Sequence, residues 1–238
     1  MVNMLLASGL QSGDLVGFTF FLGSVAMLAA TVFFFVERSS VSDEWKLSMT
    51  VSGLITLIAA VHYYYMRDVW VSSYMSPTEF RYIDWILTVP LMCVEFYLIL
   101  KAAGATKTHL RDLIVLSTIM LVTGFVGEAG LGNAALYGFF SGAAYFGIVY
   151  MIKFGSLAKI AASAGGPVQS AHNMLFWFVL AGWSIYPIGY MIGTGDGMWY
   201  SFMTGLVAAE NMDLIYNIGD SINKIGFGLV VYNLAVSK

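Results

Sequence analysis

Charge is scarce in this chain. Asp, Glu, Lys and Arg make up 11 per cent of its 238 residues, against about a quarter in a soluble globular domain. Hydrophobic residues make up 59 per cent, and apolar runs long enough to cross a bilayer recur along the whole length. No hydrophilic block between them is large enough to fold separately, so residues 1–238 read as a single membrane domain. Cysteine is almost absent. The lone Cys93 excludes an internal disulfide and a cysteine-based metal cluster, and it reads as a small core residue with no metal site implied. A net charge of −3 gives no basic excess of the kind nucleic-acid binding requires. Residues 1–13 lack the basic start of a signal peptide, and Met4 to Ala7 are too few for a span. The expectation is a mature or trimmed N-terminus.

What remains is an all-α membrane protein with seven transmembrane helices. The spans run from about 15 to 36, 47 to 68, 78 to 100, 110 to 128, 134 to 154, 171 to 193 and 208 to 236. Ser72, Ser73, Ser76 and Pro77 fall in the second connection; Gly130, Gly132 and Asn133 punctuate the fourth. Residues 155–170, with Gly165-Gly166-Pro167, join the fifth span to the sixth. Seven spans put the termini on opposite sides. Arg38, Lys46, Lys101, Lys107, Arg111, Lys153, Lys159 and Lys238 then share one side, and Arg67 stands alone on the other. The positive-inside rule places the C-terminus in the cytoplasm and the N-terminus outside.

Two spans carry ionisable residues at membrane depth, where they are costly and mark function by default. In the seventh, Lys224 lies near mid-membrane, with Asp220 one turn earlier on the same face. In the third, Arg81, Asp84, Thr88 and Glu95 line one face. Asp84 and Glu95 are about 16 Å apart along the axis and only about 20° apart around it. A single such residue would read as a buried polar group that stabilises packing; the set does not. With the N-terminus outside, Asp84 lies toward the exterior, Glu95 toward the cytoplasm and Lys224 between them. That is the layout of a proton relay without an energy source.

The string Arg81-Tyr-Ile-Asp84-Trp85-Ile-Leu-Thr88-Val-Pro-Leu91, the box Asp220-Ser-Ile-Asn-Lys224 and Trp183-Ser-Ile-Tyr186-Pro187 resemble the microbial rhodopsins. His62 in Ala-Val-His-Tyr-Tyr-Tyr-Met, with Thr-Val-Phe-Phe-Phe-Val ending at Glu37, narrows the resemblance to proteorhodopsins. It covers almost the whole chain, with the matched segments far apart and in order. The resemblance implies all-trans retinal on Lys224 as a protonated Schiff base, a role for which a lysine amine is the right nucleophile. It makes Asp84 and Asp220 the counterion pair, with Arg81 balancing their excess charge. It also makes Asp84 the proton acceptor and Glu95 the cytoplasmic donor, with Thr88 linking their levels. Sodium pumps of the family carry asparagine and glutamine in place of the two acids, and chloride pumps lack the acceptor acid. Both acids are present here, so the implied activity is a light-driven outward proton pump, a transporter rather than an enzyme, in the bacterial inner membrane as a multi-pass protein. The resemblance further implies ring-shaped homo-oligomers, a pentamer or a hexamer.

Other residues carry two readings. His62 either satisfies a backbone carbonyl or, as the resemblance implies, pairs with Asp84 and tunes it. Trp85, Trp183, Tyr186 and Pro187 match the cage around the polyene, although aromatic stripes in membrane helices are usually packing. Met92 matches the colour-tuning position, where an apolar residue implies green rather than blue absorption. Glu128 either assists proton release or is a solvated helix end. Ser141-Gly142-Ala143-Ala144 makes one face of the fifth span small. That favours close helix or protomer packing, the alternative being a side window for an antenna carotenoid. His109 and His172 stand at cytoplasmic helix ends without a function. Two rival functions remain. A photosensor signalling to a membrane transducer would usually lack a donor such as Glu95. A retinal-free secondary transporter would be expected to show paired inverted repeats or broken helices, and neither is visible.

Overall fold

The computed structural model describes residues 11–194, 199–203, 206–207 and 209–237. Among them are α1 (Leu15–Glu37), α2 (Lys46–Ser73), α3 (Thr78–Leu100), α4 (Lys107–Glu128) and α5 (Ala134–Lys153). There follow α6 (Ser156–Ala164), α7 (Gly166–Trp177), a π turn (Phe178–Gly182), α8 (Ile185–Thr194), a 3₁₀ turn (Ser201–Met203) and α9 (Ala209–Val236). No strand occurs among the described residues. α2 packs on α1 and α3, α4 on α3 and α5, and α9 closes the bundle against α1, α2 and the α7–α8 span.

Six spans are long and apolar enough to cross a membrane: α1 to α4, α5 continued by α6, and α7 continued by α8. α9 is the seventh, 28 residues long. Its interior face carries Asp213, Asn217, Asp220, Asn223 and Lys224, all buried, and these depress its hydropathy. The outward faces are the reverse of a soluble protein's: Leu22, Phe139, Phe146 and Ile222 are all exposed. Apolar outside and ionisable inside is the pattern that lipid selects.

The element ends follow local chemistry. Asp14 caps α1, accepting from the Gly17 amide at 2.8 Å and from Trp70 Nε1 at 3.1 Å. Asn133 caps α5 through the Leu136 amide at 2.8 Å. α2 runs past the expected limit of 68 to Ser73, closed by Tyr74 in the left-handed region with φ 55°. Ser72 and Ser73 are therefore helical, their hydroxyls bonded back to the Val69 carbonyl. The 155–170 connection is also largely helix, because Ser156-Leu-Ala-Lys-Ile-Ala-Ala-Ser-Ala is rich in strong helix formers. Gly165, at φ 64°, separates α6 from α7, which Gly166 opens at φ 48°.

The sixth span is not the single regular helix expected over 171–193. Trp183 N donates to Phe178 O at 3.0 Å, an i→i−5 bond. Pro187 brings no amide hydrogen to the turn that follows. The carbonyls this frees are taken up from neighbouring helices. Tyr145 Oη donates to Val179 O at 3.1 Å and Leu180 O at 2.9 Å, and Asn223 Nδ2 donates to Gly182 O at 3.0 Å. Gly182 is required for that approach, since a Cβ there would lie 2.0 Å from Asn223 Oδ1.

Candidate functional site

The α3 stripe is fully interior: Arg81 is 2 per cent exposed, and Asp84, Thr88 and Glu95 are each 0 per cent exposed. α9 faces it with Asp220 and Lys224. Lys224 Nζ lies 2.8 Å from Asp84 Oδ2 and 2.9 Å from Asp220 Oδ2, so one ammonium is shared by two carboxylates 136 residues apart in sequence. The cluster carries a net negative charge away from water, an arrangement that holds only with close pairing and further hydrogen bonds.

The two acids are held differently. Asp220 Oδ2 accepts from Tyr63 Oη at 2.9 Å and Trp85 Nε1 at 3.2 Å, and its Oδ1 accepts from Tyr186 Oη. Asp84 has Lys224 on Oδ2, and no protein group among the described residues bonds its Oδ1. Thr88 Oγ1 returns to the Asp84 main-chain carbonyl at 2.8 Å and leaves the carboxylate alone.

Arg81 has a further partner. The resemblance has it balance the excess charge of Asp84 and Asp220; its hydrogen bonds go to Asp213 Oδ1 at 2.6 Å and Asn217 Oδ1 at 3.4 Å. Asp213 was not anticipated, although it stands seven residues before Asp220, two turns along the same face of α9. His62 bonds the Ile58 carbonyl through Nδ1 at 2.8 Å, and no hydrogen bond joins it to Asp84 among the described residues. The Nδ1 bond leaves the other ring nitrogen available, and His62 is among the groups that act electrostatically on Asp84.

Glu95 lies toward the Lys101 end of α3. Ser52 Oγ donates to its Oε1 at 3.1 Å, and no protein group among the described residues bonds its Oε2. Ser48, one turn before Ser52, is also buried. At the other end of the bundle Tyr82 Oη donates to Glu128 Oε2 at 2.7 Å, so Glu128 is tied to the interior rather than being a freely solvated helix end. His172 is also more interior than a helix end suggests: it is 2 per cent exposed, with Nε2 on Ile152 O at 2.9 Å. His109 caps α4 from the Thr106 amide at 3.0 Å. Cys93 is buried and free.

A cavity of about 380 Å³, within the range of small-molecule sites, about 300–1,000 Å³, lies behind two of the side chains that hold Asp220, and Lys224, Asp84 and Asp220 are not in its wall. Trp85, Trp183, Tyr186 and Pro187 all line it, with Val89, Tyr145 and Gly142. Trp85 and Tyr186 both wall the cavity and hydrogen-bond Asp220, which joins the apolar space to the ion cluster. Met92 is the exception among the expected pocket residues. It is 2 per cent exposed but packs in the core and is not part of the cavity wall. It lies two turns beyond Asp84 on α3, whereas the cavity opens between α3, α4, α5 and α8.

A seven-span bundle built round a buried lysine and two carboxylates defines a class: the chain matches the bacteriorhodopsin-like proteins over residues 14–238 and belongs to that family. Within it the similarity is to proteorhodopsins. The chain is 47 per cent identical over 233 residues to the green-light absorbing proteorhodopsin of Gamma-proteobacterium EBAC31A08, covering 96 per cent of this chain and 90 per cent of that one. It is equally identical to the blue-light absorbing proteorhodopsin of Gamma-proteobacterium Hot 75m4, with 96 and 89 per cent covered. The crystal structure of blue light-absorbing proteorhodopsin from Med12 superposes with a TM-score of 0.77 at 42 per cent identity, covering 93 per cent of this chain and 98 per cent of that one. Xanthorhodopsin, described as a light-driven ion pump with dual chromophore, gives a TM-score of 0.77 at 28 per cent identity, covering 93 and 92 per cent.

Proposed function

We propose that this chain is a light-driven outward proton pump, a multi-pass transporter of a bacterial inner membrane. One observation carries the reading: Lys224 Nζ, out of water, within 2.9 Å of both Asp84 and Asp220. The residues present fit retinal. The cavity is walled by aromatic and apolar side chains and meets Asp220 through Trp85 and Tyr186, and Lys224 is the amine that would attach the polyene. Retinal so bound supplies light absorption and the isomerisation that reorients the lysine nitrogen.

The rest is the work of the chain. Asp84 Oδ2 lies 2.8 Å from Nζ and receives its proton directly, within the reach required of a proton acceptor. Asp220 stays charged under its three neutral donors and holds the cluster's geometry. Glu95, about 16 Å along α3 toward the lysine-rich end, returns a proton to the nitrogen, and Ser52 fixes its carboxyl. With the lysine-rich loops in the cytoplasm, protons move outward. A photosensor is the alternative, and the buried Glu95 counts against it. The ring-shaped homo-oligomer belongs to this proposal as well.

The test is illumination of cells supplied with all-trans retinal while external pH is followed. Acidification abolished by an uncoupler supports the pump; a coloured protein with a slow cycle and no acidification points to the sensor. Glu95→Gln keeps the colour but slows recovery of the dark state at least about 100-fold, the scale of a lost general acid. A small permeant weak acid restores it, and flash photometry reads both effects. An unchanged recovery rate would remove Glu95 from the path.

The cavity also bears on an antenna. A Cβ at Gly142 would meet nothing within 4 Å, and Gly142 is part of the cavity wall. A carotenoid end group would have room there, beside Phe146 and Ile188. Energy transfer, read as a carotenoid band in the retinal excitation spectrum, should disappear in Gly142→Trp while pumping persists. Absence of that band in the unaltered protein loaded with carotenoid would dismiss the antenna.

A further inference from the structure

The second buried carboxylate of α9 has no part in the steps above. Asp213 is 3 per cent exposed; it binds Arg81 Nη2 at 2.6 Å and accepts from Ser76 Oγ at 2.9 Å. The remaining contacts of Arg81 are neutral: Asn217 Oδ1 at 3.4 Å and the rings of Phe20 at 5.5 Å and Tyr216 at 4.9 Å. Asn217 is itself anchored by donating to Thr19 Oγ1 at 3.1 Å. α3 and α9 thus face each other with two charge layers. In one, Lys224 is shared by Asp84 and Asp220, leaving one negative charge in excess; in the other, Arg81 and Asp213 cancel. About 10 Å of helix separates Asp213 from Asp220, and Arg81 is one turn from Asp84.

An arginine so placed has two anionic layers within reach, and the negative one lacks a full complement of cations. A buried cation does not stay where its charge is unpaired. Something must therefore hold Arg81 in the outer layer, and Asp213 makes its one ion pair among the described residues. We infer that Asp213 is a positioning residue of the pump: it keeps Arg81 away from the Lys224 cluster, so that Asp84 faces Lys224 and Asp220 without the guanidinium. The inference rests on the pump reading. The ionisable groups acting on Arg81 are Asp213, Tyr216 and Asp220 on α9 and Tyr63 on α2; those acting on Asp84 are Lys224 and Asp220 on α9 and His62 on α2. Glu128 on α4 stands behind Tyr82, and α1 presents Phe20 and Thr19 without charge.

The test is the acid-induced colour change of the full chain reconstituted with retinal, which reports protonation beside the chromophore. Asp213→Asn removes a negative charge and frees Arg81, and both effects help Asp84 stay ionised. The midpoint of the colour change should fall by roughly one pH unit, the size of a unit charge about 10 Å away at an effective dielectric of about 20. Asp213→Glu should restore it. Adding Arg81→Gln should remove at least about half of the Asp213→Asn shift, as expected when one residue acts through another. Equal shifts with and without Arg81, or no shift, would overturn the inference. Should Asp213→Asn yield no pigment, Ser76→Ala decides: loosening Asp213 lowers the midpoint if the inference holds and leaves it unchanged if not. Failure of the pump reading looks different, because the unaltered chain would then lack colour or acidification.

Discussion

Cells making the Lys224→Ala chain and given all-trans retinal should stay colourless and leave the external pH unchanged in light. The loss should be complete, because no second lysine is buried among the described residues. Lys101, Lys107, Lys153 and Lys159 are exposed and Lys46 opens α2, and the other buried cation, Arg81, cannot form an imine. Alanine also leaves Asp84 and Asp220 facing each other without their ammonium. Removing one partner of a buried pair costs about 3–5 kcal/mol, so this variant could fail for want of folding alone. Lys224→Arg separates the two causes. It keeps a cation between the carboxylates but has no nucleophilic amine, and it should be a folded, colourless, inactive protein. Visible absorption after purification checks the colour, and thermal unfolding checks the fold. A visible pigment from either variant would displace Lys224 from the centre of the site.

Much of this was legible in the sequence because lipid makes the pattern blunt. Ionisable residues inside apolar runs are conspicuous, so Asp84, Glu95, Asp220 and Lys224 could be picked out by position, and helical spacing put each on its face. The spans followed from length and hydropathy, with errors where helices continue beyond the membrane-like stretch, as at Ser72 and Ser73. What spacing could not give was contact across helices. Tyr63 is one tyrosine in a run of three, and only burial against α9 distinguishes it from exposed Tyr64 and Tyr65. Ser52 is a small hydroxyl among many. Asp213 was within reach of the same helical arithmetic that exposed Asp220. It was passed over because it stands near the end of the span, where an acid is ordinary. The break in the sixth span was hidden as well: Pro187 announces a perturbed turn, but not the π turn before it or the Tyr145 and Asn223 bonds that satisfy it.

Asp84→Asn should abolish pumping by at least about 100-fold, the scale of a lost proton acceptor, and fix the pigment in its red-shifted form at all pH values. Two acids touch the lysine, so the assignment of acceptor to one of them needs a reason, and the hydrogen bonds supply it. Protonating Asp220 would weaken bonds from Tyr63, Trp85 and Tyr186, each worth about 1.5–3 kcal/mol to a charged acceptor. Protonating Asp84 disturbs one protein hydrogen bond, that from Lys224. The difference amounts to several kcal/mol, more than enough to direct the proton to Asp84. The unaltered pigment should therefore redden on acidification as Asp84 takes up a proton, and outward pumping should fail over the same pH range. Asp220→Asn, by contrast, should still show an acid transition, because the titrating group remains. Spectra from alkaline to acid pH on the three proteins decide the matter. A pH-independent spectrum in the unaltered protein, or a transition that survives in Asp84→Asn and vanishes in Asp220→Asn, would exchange the roles of the two acids.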